Sequence, residues 1–101
     1  MIAYVRPFRE TLAAVGERAR QVRLLRNLQQ VELAARAGVG VATVHRFEKT
    51  GTASIETVLR IATALNADGA FDKLFEAPAY ASLDEALARP EVKRRRAARR
   101  K

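Results

Sequence analysis

The chain has 101 residues, about half of them apolar, and carries a net charge of +8 with no cysteine, no tryptophan and one histidine. That length supports one domain around one core. The missing thiols exclude disulfides and thiolate metal sites, and a lone His45 excludes a histidine metal cluster or a catalytic triad. The charge is uneven: Pro90–Lys101 holds seven Lys/Arg against one acid, whereas residues 1–89 hold twelve against ten. A basic balance asks for an anionic partner, whether nucleic acid, a membrane surface or an acidic protein. No apolar stretch nears the ~20 residues of a membrane span and no secretory leader is legible, so the expectation is a soluble cytoplasmic protein without a membrane partner.

Met1 to Pro7 is a short lead whose conformation (arm, edge strand or disordered) the sequence does not decide. Phe8, Leu12, Val15, Ala19, Val22 and Leu25 then recur at the helical period, and Gly16 makes this stretch either one bent helix or two short ones. Asn27 suits a left-handed C-cap. A second helix is predicted over Gln30–Ala37 with Leu33, Ala34 and Ala37 inward, ended by a left-handed Gly38, with Val39 plugging the gap to the next helix. The third helix, about Val41 to Lys49, buries Val44 and Phe47, and Thr50-Gly51-Thr52 breaks it. Ser54 is the N-cap of a fourth helix, Ile55 to Leu65, that buries Ile55, Val58, Leu59, Ile61, Ala62 and Leu65. After a turn over Asn66–Asp68, a fifth helix from about Gly69 to Phe75 adds Phe71, Leu74 and Phe75 to the core, and Glu76-Ala77-Pro78 stops it. Ser82 and Glu85 form a capping box opening a short helix to Arg89, which Pro90 ends. The remaining basic residues have too little apolar surface to fold and are expected to be disordered. The chain thus divides into an extension (1–14), a folded domain (15–76), a short extra helix (77–89) and a basic tail (90–101).

The run from Gln30 to Glu48, a short helix, a turn at Gly38 and a second short helix, has the spacing of a helix-turn-helix. Several positions between Val15 and Phe75 resemble the Cro/C1-type (Xre family) domain. They are Arg23 with Glu48, Leu28 and Gln30, Leu33-Ala34, Ala37-Gly38-Val39, Thr43-Val44, Arg46-Phe47-Glu48 and Ile55 to Ala62. The resemblance implies an all-α, compact five-helix domain, here with the short extra helix and basic tail behind it. It also implies a sequence-specific repressor that binds a palindromic operator in duplex DNA as a homodimer through helix 41–49. Arg23 and Glu48 look like the pair that ties the first and third helices together in that family. Arg23 as a phosphate contact is the alternative, and the structural pair is favoured because breaking a buried pair is costly.

In such a domain the start of the third helix faces base edges. Val41 and Ala42 have no hydrogen-bonding side chain and reach only thymine methyls or groove shape. Arg46 is the candidate for a bidentate guanine contact, with a phosphate as alternative. Thr43 and Lys49 are expected on phosphates, Lys49 equally as a solvated charge, and His45 is a groove-facing donor or an ordinary surface residue. Gln30, assisted by Gln29, opens the second helix and suits a phosphate or a plain cap.

The link Asn66–Phe71 is longer than in the simplest members. With Leu74–Pro78, the Tyr80–Leu87 segment and the Arg-rich tail, it is similar to HipB-type antitoxins. That resemblance implies an antitoxin that represses its own operon and binds a HipA-like Ser/Thr kinase toxin. The alternatives are an antitoxin whose main role is kinase neutralisation and a non-specific nucleic-acid-associated protein. The tail either wraps DNA, docks on an acidic partner or is a mobile end. Phe75, Tyr80, Leu83 and Leu87 are the candidate dimer surface, with the N-terminal segment second. No cofactor and no enzymatic activity are expected: the adjacent acids Asp84 and Glu85 complement a helix N-terminus.

Overall fold

The computed structural model describes residues 7–77. The lead over 1–6, the capping-box helix and the basic tail lie outside the described residues. Four α-helices follow in chain order, α1 (Phe8–Leu25), α2 (Gln30–Ala37), α3 (Val41–Thr50) and α4 (Ile55–Ala64), then a 3-10 helix (Asp68–Lys73). The described residues contain no strand.

Three of these helices end by one device. Asn27, Gly38 and Asn66 all adopt left-handed backbone, with φ of 57°, 72° and 57°. In each case the next amide folds back on a carbonyl five residues earlier: Leu28 to Arg23 (3.2 Å), Val39 to Ala34 (3.0 Å) and Ala67 to Ala62 (2.8 Å). This is the Schellman closure, and it satisfies carbonyls that a helix end would otherwise leave open. In two of the three the residue after the left-handed position returns the chain to the core, where Leu28 and Val39 pack.

The core is Leu28, Leu33, Ala34, Ala37, Val44, Phe47, Ile61 and Leu65. Val15, Ala19, Val22, Val39 and Val58 pack against its edge. Leu33, Ala34, Ala37, Val44 and Phe47 are buried as the sequence predicts. Ser54 caps α4, its Oγ accepting the Thr57 amide at 3.1 Å.

Gly16 does not break α1, which is one 18-residue helix. Its role is close approach: a Cβ at Gly16 would overlap the Phe47 carbonyl oxygen at the end of α3. Gly51 does the reverse, since a Cβ there would overlap the backbone of Leu12, and its φ is +77°. The two glycines dovetail α1 with the last turn of α3. Gly51→Ala combines the left-handed penalty of about 1–2 kcal/mol with overpacking of about 1–3 kcal/mol. It is expected to lower unfolding free energy by on the order of 3 kcal/mol, measured by urea titration. A change below about 0.5 kcal/mol, the scale of ordinary surface substitutions, would show that the two backbones part easily.

Several residues assigned to the core lie outside it. Ile55 is 64% exposed and Leu59 is also exposed. The stripe that α4 buries runs through Val58, Ile61 and Leu65, and at 100° per residue Ile55 and Leu59 fall well off its centre. Phe8 and Leu25 are also exposed: Phe8 is the first residue of α1, and Leu25 falls about 120° round the helix from the centre of the Val15, Ala19 and Arg23 stripe. The fifth helix is shorter than expected. It stops at Lys73, Leu74 is extended and Phe75 is left-handed at φ 66°, so neither side chain continues the helix face. Phe71 packs, whereas Leu74 is exposed and Phe75 is 94% exposed.

Candidate nucleic-acid interface

The α3 helix divides into two faces. Val44, Phe47 and Glu48 are buried on one side. Ala42, His45, Arg46 and Lys49 share the opposite side, at the i, i+3, i+4 and i+7 spacing of a single stripe, and all four are exposed. Val41 and Thr43 flank that stripe, Val41 exposed and Thr43 half-buried. Gly40 is extended and leads into the first turn, where the Thr43 and Val44 amides close on its carbonyl. Neither Arg46 nor Lys49 has an ion-pair partner among the described residues.

What holds α3 at this angle is one carboxylate. Glu48 is 5% exposed and Arg23 is 8% exposed. Arg23 Nε donates to Glu48 Oε2 at 2.7 Å and Nη2 to Oε1 at 3.0 Å, a bidentate pair. Arg23 Nη1 donates to the Leu28 carbonyl at 2.8 Å. Gln30 Nε2 donates to Glu48 Oε1 at 2.9 Å. The side chain of Glu48 therefore joins α1, α2 and α3. Every buried side-chain nitrogen and oxygen among the described residues has a partner. Burial removes Arg23 from the phosphate role and leaves it as the structural partner.

Gln30 is placed differently from either simple role. It is the first residue of α2, and the N-cap is Gln29. The Gln29 amide donates to the Glu32 carboxylate at 2.7 Å, which puts an acid beside the α2 N-terminus. That acid offsets part of the positive end of the helix. The Gln30 amide nitrogen is committed to Glu48, and as the first residue of α2 its backbone N–H has no partner within the helix.

An open cleft of about 510 Å³ lies beside the α3 stripe, lined by Ala13, Glu17, Arg20, Gln30, His45, Glu48 and Lys49. It brings Gln30, His45 and Lys49 together. Gln29, Val41, Ala42, Thr43 and Arg46 do not line it. Arg20 and Glu17 were not singled out in the sequence, although the spacing of Ala13, Glu17 and Arg20 on the α1 face opposite Val15, Ala19 and Val22 signals a second surface there. Glu17 is occupied locally: its Oε2 accepts from Gln21 Nε2 at 2.7 Å and from Arg20 Nη1 at 3.4 Å. With Glu48 paired to Arg23, Lys49 is the cation of the cleft lining with no ion-pair partner among the described residues.

An exposed stripe with the donors His45, Arg46 and Lys49, beside a cleft with an unpaired cation, suits an anionic surface with ridges and grooves. Among the described residues no group of three or more His, Asp or Glu is placed to hold a metal ion. No helix among them is long and apolar enough to cross a membrane.

No curated protein matches the chain. The helix-turn-helix family model matches residues 20–70, which is half of the chain and runs from the last third of α1 to the middle of the 3-10 helix. With this match and an all-helical fold that turns α3 outward, the chain belongs to the Cro/C1-type helix-turn-helix family of DNA-binding transcription regulators.

Proposed function

We propose that this protein is a sequence-specific repressor that binds a palindromic operator as a homodimer, with α3 laid in the major groove. The observation that carries the reading is the shared outer stripe of Ala42, His45, Arg46 and Lys49, opposite the buried Val44, Phe47 and Glu48. Arg46 contacts a guanine edge, Val41 and Ala42 meet thymine methyls, and His45 donates into the groove. Thr43, Lys49 and the Gln29-Gln30 start of α2 hold phosphates. One domain of this size covers few base pairs, and two related by a dyad reach half-sites about 34 Å apart. Phe75, 94% exposed near the end of the described residues, marks the proposed dyad surface. The protein works in the cytoplasm, at the nucleoid.

The finer reading is an antitoxin that represses its own operon and neutralises a HipA-like Ser/Thr kinase. It is supported by the sequence of Leu74–Leu87 and the Arg-rich tail, most of which lies outside the described residues. A kinase bound through that region uses a surface separate from α3. Arg46→Ala would then lose operator binding and keep kinase neutralisation.

Selection of bound fragments from random duplex DNA, followed by footprinting, tests the reading. Recovery of a palindrome with half-sites one turn apart supports it. Equal retention of all sequences would assign a non-specific nucleic-acid-associated protein instead. Deletion of Pro90–Lys101 is expected to weaken binding and flatten its salt dependence with the same sequence preference, because each phosphate contact contributes ~0.9 to the slope of log K against log salt. An unchanged slope would remove the tail from DNA contact.

A further inference from the structure

An apolar groove of about 270 Å³ runs between α1, α4 and the 3-10 helix. Ala19 and Val22 line it from α1, Val58 and Leu65 from α4, and Phe71 from the 3-10 helix, with Arg18 at its edge. It occupies the face of α1 opposite the Ala13, Glu17 and Arg20 side that lines the DNA-facing cleft. We propose that this groove is the seat of the chain's own C-terminal segment, Tyr80–Leu87, docked within the same molecule.

Three observations select that occupant. The first is reach. Phe71 lines the groove and the described residues end at Ala77, so Tyr80 starts three residues on, about 10 Å at full extension. A tether that short gives an effective concentration near the millimolar range, which a separate partner at cellular levels does not match. The second is pattern. Leu83 and Leu87 are spaced i and i+4, one face of a helical turn sequence that Ser82 and Glu85 are suited to open and Pro90 to close, and Tyr80 stands two residues ahead of the cap. The third is charge. Asp84 and Glu85 follow Leu83 directly, and Arg18 at the groove edge has no ion-pair partner among the described residues.

The groove is below the ~300–1,000 Å³ of small-molecule pockets. The docked segment leaves α3 clear and leaves exposed Phe75 for contact between copies.

The chain lacks cysteine, so Ala88→Cys gives a single attachment point for a nitroxide label, to one side of the Leu83 and Leu87 face. The labelled full-length protein is compared with its reduced form by methyl NMR. Val22, Val58 and Leu65 methyls are expected to lose intensity, whereas Val41 on α3 keeps it. Adding Leu83→Asp and Leu87→Asp is expected to restore the lost signals without changing the rest of the spectrum. The core of the described residues is built from Leu28 to Leu65, so the variant is read for docking with the rest of the spectrum as the control for folding. Mixing spin-labelled, isotope-free chains with isotope-labelled, spin-free chains separates the sources. Signal loss that appears equally in the mixture makes a second copy the occupant and overturns the proposal. No loss in either sample means the groove is unfilled and also overturns it.

Discussion

Replacing Glu48 by alanine is expected to cost about 3–5 kcal/mol of folding free energy, the usual penalty for stranding one member of a buried pair. Three donors lose their acceptor together: Arg23 Nε, Arg23 Nη2 and Gln30 Nε2. The guanidinium cannot discharge itself by losing a proton, so it stays charged in the interior with only the Leu28 carbonyl. For a domain of this size the drop in Tm is on the order of 20 °C, since 1 kcal/mol moves Tm by roughly 4–8 °C. Replacing both partners, Arg23→Met with Glu48→Leu, is expected to recover most of that loss, because the penalty belongs to the unpaired charge and not to the missing bridge. Urea unfolding of the two variants decides it. If Glu48→Ala loses less than about 1 kcal/mol, water reaches Arg23 and the pair is not the clamp that fixes the three helices.

Arg46→Ala is expected to weaken operator binding by about 5–150-fold per half-site, corresponding to ~1–3 kcal/mol for a bidentate guanine contact. In a dimer both half-sites lose it. Stability should change by no more than about 0.5 kcal/mol, because Arg46 is exposed and has no ion-pair partner among the described residues. The mode of loss tells base from phosphate. A base contact relaxes preference at one operator position and leaves the salt slope nearly unchanged. A phosphate contact weakens all sequences alike and lowers the slope by about 1. Fluorescence anisotropy on operator and scrambled duplex at several salt concentrations distinguishes these. Binding as tight as the wild type would remove Arg46 from the interface.

Much of the fold was legible because its punctuation is local. Gly38, Asn27 and Ser54 announce helix ends by their own chemistry, and each does so in the structure. The inward residues of α2 and α3 follow from a 3.6-residue period over short helices with one obvious apolar side. The pairing of Arg23 with Glu48, separated by 25 positions, came from family resemblance, and the distances bear it out. What failed was long-range. Ile55, Leu59, Leu74 and Phe75 are apolar at helical spacing, yet burial depends on which neighbour is present to cover them. Gly16 looked like a breaker because a glycine's effect on propensity is local, whereas its purpose lies in the carbonyl of Phe47 across the interface. The commitment of Gln30 to Glu48 was equally unreadable, since hydrogen-bond partners are set by helix crossing and not by spacing. The exposed stripe of α3 was legible as a surface, and Arg20 beside it was not, because α1 has two solvent-facing sides.

The segregation of α3 has a practical corollary for engineering. Positions 42, 45, 46 and 49 are exposed and supply none of the hydrogen bonds that the Glu48 carboxylate accepts, so they can be randomised as a cassette without removing the chassis contacts. A library of such chains would explore new target sites while drawing on an unchanged reserve of stability, provided positions 44, 47 and 48 are left alone.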